Sequence, residues 1–167
     1  AVGAKPRTNY PLYCAGIVVG MSTDRDVRRM YGDGLFVNDE GHGGGRYYTD
    51  STHRVTFHAE IGVDHLIESV SLGSTLKLPD SSQKAVAAAT TSRLSASEQV
   101  WPDVQLGTSV STVLAEYGKP HKDSRSGNQR VLHYETNSQA NPYVMSYYAA
   151  EFHFTRDRLV LVKLYSG

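Results

Sequence analysis

Three pairs of histidine and glutamate, each separated by one residue, are the side chains in this sequence best suited to chemistry. In a β-strand, residues two apart point to the same face, so each pair would present an imidazole beside a carboxylate. Such groups on neighbouring strands could bind zinc or copper, or could transfer protons as a general acid and base. The same spacing is typical of polar pairs on any solvent-facing strand, and both interpretations stay open. The pairs are His58 with Glu60, His133 with Glu135, and Glu151 with His153, and the candidate metal ligands are His58, Glu60, His133, Glu151 and His153.

Two well-known catalytic motifs do not occur in the sequence. It contains neither the Gly-x-Ser-x-Gly turn of α/β-hydrolases nor the His-Glu-x-x-His helix of zinc proteases. The glycine-rich run at residues 41–45 lacks the Lys-Ser/Thr of a phosphate-binding loop, so we interpret it as an ordinary loop. A hydrolase built from His58, His133 and His153 would need a deep pocket that brings the three side chains together. We therefore predict a protein that is not an enzyme.

The charge balance argues against nucleic acid and against an anionic membrane surface as partners. Lys and Arg number 17 and Asp and Glu number 17, so the formal net charge is zero. Nucleic-acid-binding proteins and polybasic membrane anchors both depend on an excess of positive charge. The apolar fraction of 40% is typical of a globular chain, and no apolar stretch of the sequence is long enough to span a bilayer.

The single cysteine and the first residues bear on the cellular compartment. Cys14 has no second cysteine to pair with, which excludes an intrachain disulfide, and we expect it to be a buried, unreactive thiol. The sequence begins Ala-Val-Gly-Ala without a methionine, which is the pattern that removal of a signal peptide leaves. We therefore expect a secreted or periplasmic bacterial protein.

Two stretches of the chain repeat a pattern typical of a short capped helix. Residues 20–32 and 107–118 both place apolar residues at helical spacing between an N-terminal Ser or Thr and a closing glycine. Corresponding valine, tyrosine and glycine residues in the two stretches are 86 positions apart. A second match, offset by 93 positions, relates residues 61–67 to 154–160. The sequence therefore indicates an internal duplication.

The duplication predicts an α+β fold of two tandem repeats, each a short helical segment followed by a small antiparallel β-sheet, joined by a helical linker. The repeat units are 15–73 and 102–167, the linker is 74–101, and 1–14 is an extended N-terminal segment. An alanine-rich helix is predicted over 81–94 within the linker, and a loop is predicted over 137–145. Alternation of apolar and polar residues predicts strands near 45–50, 53–61, 65–72, 129–136, 146–155 and 158–165.

The duplicated pattern resembles two bacterial families, the β-lactamase inhibitory proteins and the SmpA/OmlA outer-membrane assembly lipoproteins. The capped helix at 107–120 and the Phe-x-x-Asp-x-Leu-Val segment at 154–160 carry the resemblance. It implies a curved sheet surface with loops that grip a partner protein, and an acidic loop residue such as Asp50 that can enter the partner's cleft. The inhibitor family has a disulfide in each unit, which this chain cannot form with its one cysteine.

The tyrosine content indicates that the strand faces form a binding surface. The chain has 11 tyrosines, and tyrosine and tryptophan are favoured interface anchors because they bury a large area at low entropic cost. We therefore predict a non-catalytic protein-binding module, an enzyme inhibitor or an envelope scaffold, that is a monomer or weak dimer and needs no cofactor. The alternative is a small-ligand or metal-binding protein that uses the His/Glu pairs. The predicted partner-binding residues are Tyr47, Tyr48, Asp50, His58, Trp101, His133, Tyr147, Glu151, Leu161, Lys163 and Tyr165.

Overall fold

The computed structural model describes residues 12–38, 43–95, 97–98, 100, 104–141 and 144–166. Within these ranges the chain forms ten β-strands and three short α-helices. In chain order the elements are β1 (Tyr13–Cys14), β2 (Ile17–Val18), α1 (Asp24–Tyr31), β3 (Leu35–Val37), β4 (Gly45–Thr49), β5 (Thr56–Ile61), β6 (Ile67–Gly73), α2 (Gln83–Ala89), α3 (Val110–Tyr117), β7 (Lys122–Ser126), β8 (Gln129–Asn141), β9 (Val144–Thr155) and β10 (Arg158–Ser166).

Eight of the strands form one antiparallel sheet, in the order β3-β4-β5-β6-β10-β9-β8-β7. The strands β1 and β2 form a separate two-stranded sheet. Neighbours in the large sheet are consecutive in the chain, except where β10 pairs with β6. That pairing runs from Leu161 opposite Gly73 to Tyr165 opposite Ser69, and it makes the eight strands continuous.

The predicted fold class is wrong. The protein is mostly β, with an eight-stranded sheet, a two-stranded sheet and three short helices in the described ranges, and not an α+β protein of two tandem helix-plus-sheet repeats. The physical reason lies at the β6–β10 junction, where Leu72 opposes Val162 and Val70 opposes Leu164. All four side chains belong to the same hydrophobic core, so the strands on the two sides of the junction share one sheet and one core.

The hydrophobic core covers one face of the large sheet. Alternate strand residues point to this face, and α1, α3 and the β1–β2 hairpin contribute buried side chains to the same cluster. Tyr31 of α1 lies 5.5 Å from Tyr48 between ring centroids, and Tyr117 of α3 lies 5.1 Å from Phe152. Cys14 lies in this core as predicted, and burial raises the pKa of its thiol. Five tyrosines are therefore core residues: Tyr31, Tyr48, Tyr117, Tyr134 and Tyr148.

Side-chain caps fix the two helices that pack on the core. The Thr23 hydroxyl accepts a hydrogen bond from the Asp26 amide, and the Asp26 carboxylate accepts one from the Thr23 amide, which completes the capping box at the start of α1. Ser109 caps α3 in the same position. Gly32 and Gly118 end the two helices at positive φ angles of 85° and 81°, which glycine adopts without strain.

Two buried tyrosines attach the helix ends to the sheet. The Tyr48 hydroxyl donates a hydrogen bond to the Gly32 carbonyl at 2.7 Å, and the Tyr134 hydroxyl donates one to the Gly118 carbonyl at 2.8 Å. Carbonyls at helix C-termini have no partner within the helix, so each tyrosine satisfies a group that would otherwise need water. The helices are thereby held on the core face of the sheet.

The remaining secondary-structure predictions have mixed outcomes. The helix predicted over 81–94 forms only as Gln83–Ala89, because the backbone is already extended at Thr90. The predicted loop at 137–145 is wrong, since β8 continues to Asn141 and β9 starts at Val144. The short strand β3 pairs with β4, and β7 pairs with β8, at positions where no strand was expected.

Candidate partner-binding face

The face of the large sheet opposite the core carries a row of side chains from all eight strands. Opposed residues on neighbouring strands share a face, so the strand register traces this row from one edge of the sheet to the other. Most of its members are polar and only half-buried, whereas the strand residues next to them in sequence are mostly fully buried. We call this set the central row. From β3 to β7 its members are Leu35, Tyr47, His58, Ser71, Lys163, Glu151, His133 and Lys122.

A further row lies on each side of the central row, two residues away along the strands. One contains Gly45, Glu60, Ser69, Tyr165, Ala149 and Glu135. The other contains Thr49, Thr56, Gly73, Leu161, His153, Val131 and Ser124. These three rows, with Tyr147 two residues before Ala149 on β9, are named the open face.

Most of the predicted partner-binding residues lie together on the open face. Their position on one face was predicted from the alternation of apolar and polar residues along the strands. Trp101 lies outside the described residues. The predicted residues on the open face are Tyr47, His58, His133, Tyr147, Glu151, Leu161, Lys163 and Tyr165.

Tyr48 and Asp50 do not belong to this surface, contrary to the prediction. Tyr48 follows Tyr47 directly, so the strand alternation turns it to the core, where it is 0% exposed. Asp50 is 5% exposed and holds a turn, because its carboxylate accepts hydrogen bonds from the amides of Arg54 at 2.8 Å and Val55 at 2.9 Å. Burial alone would raise the pKa of Asp50, but hydrogen bonds from Thr52, Val55 and Arg54 together lower it.

The five candidate metal ligands are spread over three strands. His58 and Glu60 lie on β5, and β6 and β10 separate them from Glu151 on β9. His133 and His153 lie on neighbouring strands as the metal hypothesis requires, but His133 opposes Glu151 while His153 opposes Val131. Within the described ranges, no group of three or more His, Cys, Asp or Glu side chains is arranged to hold a metal ion.

An aromatic stack occupies the β4–β5 side of the open face. The rings of Tyr47 and His58 lie 4.1 Å apart between centroids at an interplanar angle of 13°. Gly45 makes room for this stack, because a Cβ atom there would lie 2.5 Å from Nε2 of His58. Burial lowers the pKa of His58, although the nearby Glu60 carboxylate opposes that shift. Glu60 itself accepts a hydrogen bond from the Ser69 hydroxyl at 3.1 Å.

Hydrogen-bonded and charged pairs occupy the β8–β9 side. Nε2 of His133 lies 2.8 Å from Oε1 of Glu135. Burial, together with the hydrogen bond from its hydroxyl to Glu135, raises the pKa of Tyr147 to about 12. Nε2 of His153 lies 3.7 Å from Oε1 of Glu151. Burial lowers the pKa of His153, with Glu151 opposing the shift and Lys163 adding to it.

A groove of about 440 Å³ lies between these two clusters, over β5, β6 and β10. Its lining includes Leu76, from the segment that follows β6, and Tyr165 of β10. Its charged groups are the carboxylates of Glu60, Glu68 and Glu151 and the ammonium of Lys163. The arrangement offers hydrogen-bond acceptors, a cation and an aromatic ring in one concave surface, which is suited to hold a polar side chain.

Sequence reasoning missed the contribution of β6 to this groove. Ser69 and Ser71 alternate with the buried Val70 and Leu72, so the same period-two pattern that identified the other strands would have found them. Glu68 has no such signal, because it is the extra residue at the register irregularity between the Glu60–Ser69 and Ile61–Ile67 pairs. Leu76 belongs to an irregular segment whose position depends on tertiary contacts.

None of the helices in the described part of the chain is long and apolar enough to cross a membrane.

Comparison with protein-family models and with curated protein sequences gives no match. Among solved structures, the chain is similar to a DUF4309 family protein, YjgB, from Bacillus subtilis subsp. subtilis str. 168. The identity is 14% and the TM-score is 0.49, over 91% of this chain and 83% of that chain.

Proposed function

We propose that this chain is a non-catalytic protein-binding module that uses the open face, outside the cytoplasm, as an enzyme inhibitor or an envelope scaffold. The observation that carries the proposal is the central row, which crosses all eight strands with mostly half-buried polar and aromatic side chains. The helices α1 and α3 pack on the opposite face, so their packing does not use these side chains.

The size of the open face fits a protein partner. Eight strands leave seven gaps of about 4.8 Å, which gives a width of about 34 Å. The three rows span about five residues, or about 17 Å, so the flat area is close to 600 Å². A standard interface buries roughly 800 Å² on each partner, and the side-chain relief of the open face adds to its flat area.

The side chains of the open face are of the kind that anchor interfaces. Tyr47, Tyr147 and Tyr165 are half-buried, so each keeps part of its ring available while its orientation is already restricted. An aromatic side chain held in this way loses little conformational entropy on binding. The hydroxyl groups and carboxylates between the rings supply hydrogen-bonding specificity around them.

Affinity capture from the source organism's extracellular and envelope extracts tests the proposal. The wild-type chain is compared with a Tyr147→Ala/Tyr165→Ala variant and with a Met21→Ala/Met30→Ala control. The control removes two exposed apolar side chains that lie outside the open face. We expect a protein that the wild type and the control retain and that the tyrosine variant loses.

A photo-reactive side chain placed at Ser71, in the central row, should cross-link the same protein, whereas one placed at Arg29 on α1 should not. The proposal fails if the tyrosine variant captures the partner as well as the wild type does. It also fails if cross-links form only from Arg29.

A further inference from the structure

The groove carries a net negative charge, although the formal net charge of the whole chain is zero. Its lining carries three carboxylates, Glu60, Glu68 and Glu151, against one ammonium, Lys163, which is an excess of two negative charges. The formal net charge of the chain is zero, so the rest of the molecule carries the balancing positive excess. A cationic partner is therefore attracted to the groove and disfavoured by the remaining surface.

Two histidines of the open face, His58 and His153, do not cancel this charge near neutral pH. Burial lowers the pKa of both His58 and His153, so both imidazoles are mainly neutral at pH 7. Lys163 does not neutralise Glu151 by direct contact, although the two residues are opposite each other on β10 and β9. Within the described ranges, Lys163 forms no ion pair within 4 Å.

The geometry at the β5–β6 end of the groove suits a planar cation. Glu60 opposes Ser69, and Glu68 is the residue before Ser69 on β6, so the two carboxylates come from neighbouring positions. On the other side of Ser69, Tyr165 of β10 lies opposite it, and Tyr165, Glu60 and Glu68 all line the groove. A guanidinium between them could donate charge-assisted hydrogen bonds to the carboxylates and stack on the ring.

We propose that the open face binds a basic, extended segment of a partner protein, with an arginine side chain seated in the groove among Glu60, Glu68 and Tyr165. This inference rests on the proposed protein-binding function and names the chemistry of the partner. Arginine is favoured over lysine because its planar fork can bind carboxylates through two parallel hydrogen bonds and can stack on an aromatic ring, whereas an ammonium acts as a point charge.

A peptide titration followed by two-dimensional ¹H–¹⁵N NMR tests the inference on the full chain. The probes are acetyl-Gly-Arg-Gly-Arg-Gly-amide and the matched peptides with Lys, Gln or Glu in place of Arg. We expect saturable shifts of the Ser69, Ser71 and Tyr165 amides with the arginine peptide, weaker binding of the lysine peptide, and none with the Gln and Glu peptides. Raising the salt concentration from about 0.05 to about 0.3 M should weaken the binding several-fold, because the groove is open to solvent.

Two variants with the same change in net charge distinguish binding in the groove from a general effect of the chain's net charge. Glu60→Gln/Glu68→Gln should weaken binding of the arginine peptide at least fivefold. The control Asp33→Asn/Glu116→Gln removes two carboxylates outside the open face and should leave binding within twofold of the wild type. Circular dichroism spectra and thermal midpoints confirm that both variants are folded.

The inference is overturned if the Gln peptide binds as well as the Arg peptide, if the shifts map outside the open face, or if the groove variant binds as the wild type does. These outcomes are distinct from failure of the proposed function. If the capture experiment finds a partner that needs Tyr147 and Tyr165 but the arginine peptide does not bind, only the arginine inference fails. If the peptide binds the groove but capture does not depend on the two tyrosines, the proposed function fails.

Discussion

Removal of the buried Tyr134 hydroxyl tests how much the hydrogen bond between the sheet and the end of α3 stabilises the fold. Tyr134 is 0% exposed, and its hydroxyl donates a hydrogen bond to the Gly118 carbonyl at 2.8 Å. Tyr134→Phe keeps the ring packing against Phe152 and Tyr117 but leaves the carbonyl at the end of α3 without its donor. An unsatisfied buried acceptor costs about 1–3 kcal/mol, and we expect the free energy of unfolding to fall by about 1.5–2 kcal/mol.

The corresponding bond in the other half of the sheet supplies a second measurement. Tyr48→Phe removes the hydrogen bond to the Gly32 carbonyl, which is only partly buried, so we expect a smaller loss of about 1 kcal/mol. The two sites share no partner, and the double variant should therefore lose close to the sum, about 2.5–3 kcal/mol. For a chain of this size the midpoint temperature should fall by roughly 5–12 °C.

Urea denaturation monitored by circular dichroism measures these losses, and the pH dependence adds an independent check. Burial raises the pKa of Tyr134, and raises that of Tyr48 to about 12. A phenol whose pKa is higher in the folded chain stabilises the fold fully below pH 10, and this stability is lost as the pH rises through the folded pKa. The wild type should therefore lose more stability between pH 9 and 11 than the double variant does. A Tyr134→Phe loss below about 0.5 kcal/mol, or equal alkaline losses in both proteins, would refute the reasoning.

Three further predictions concern the turn and the open face. Asp50→Ala should lower the free energy of unfolding, measured by urea denaturation, by about 2 kcal/mol at pH 7. Because hydrogen bonds lower the pKa of Asp50 below 3.8, the difference in stability between the wild type and the variant should shrink only as the pH falls below that value. Since burial lowers the pKa of His58 and His153 below 6.5, the wild type should lose stability as the pH falls from 6.5 through their folded pKa values, and a His58→Gln/His153→Gln variant should lose less. Gly45→Ala should separate His58 from Tyr47, which NMR would detect as a downfield shift of the His58 ring protons and a rise of its pKa.

Each of these expectations has an outcome that contradicts it. An Asp50→Ala protein as stable as the wild type at pH 7 would mean that the turn does not depend on its carboxylate. Equal acid sensitivity of the wild type and the double histidine variant would mean that other groups dominate between pH 5 and 7. Unchanged His58 resonances in Gly45→Ala would mean that the space above Gly45 is not limiting.

The sequence allows the faces of single strands to be predicted, but not the order of the strands. Period-two alternation placed His58, Glu151 and Lys163 on one surface, because that pattern is local and each strand carries it separately. Tyr48 was placed incorrectly, because a cluster of tyrosines does not indicate which ring points inward. In the structure tyrosines serve both the core and the open face.

The arrangement of the whole sheet depends on contacts that no local pattern contains. The β6–β10 pairing joins positions about 90 residues apart, such as Leu72 and Val162. The similarity between the two segments of the chain predicted two repeat units, each with its own small sheet, and left open whether the two sheets are continuous; the pairing of their strands creates one sheet. The groove could not be predicted for the same reason, since its lining comes from both sides of this junction.

The central position of β10 has a consequence for the order of folding. β10 is the last strand in chain order, yet it pairs with β6 on one side and β9 on the other. During synthesis one edge of β6 stays without its partner strand until β10 has been made. The apolar side chains of Val70 and Leu72 lie on this strand. Such long-range pairing slows folding, and an unpaired strand edge is a site of aggregation. Formation of the sheet junction that builds the groove is therefore also a step at which the nascent chain is exposed to misassociation.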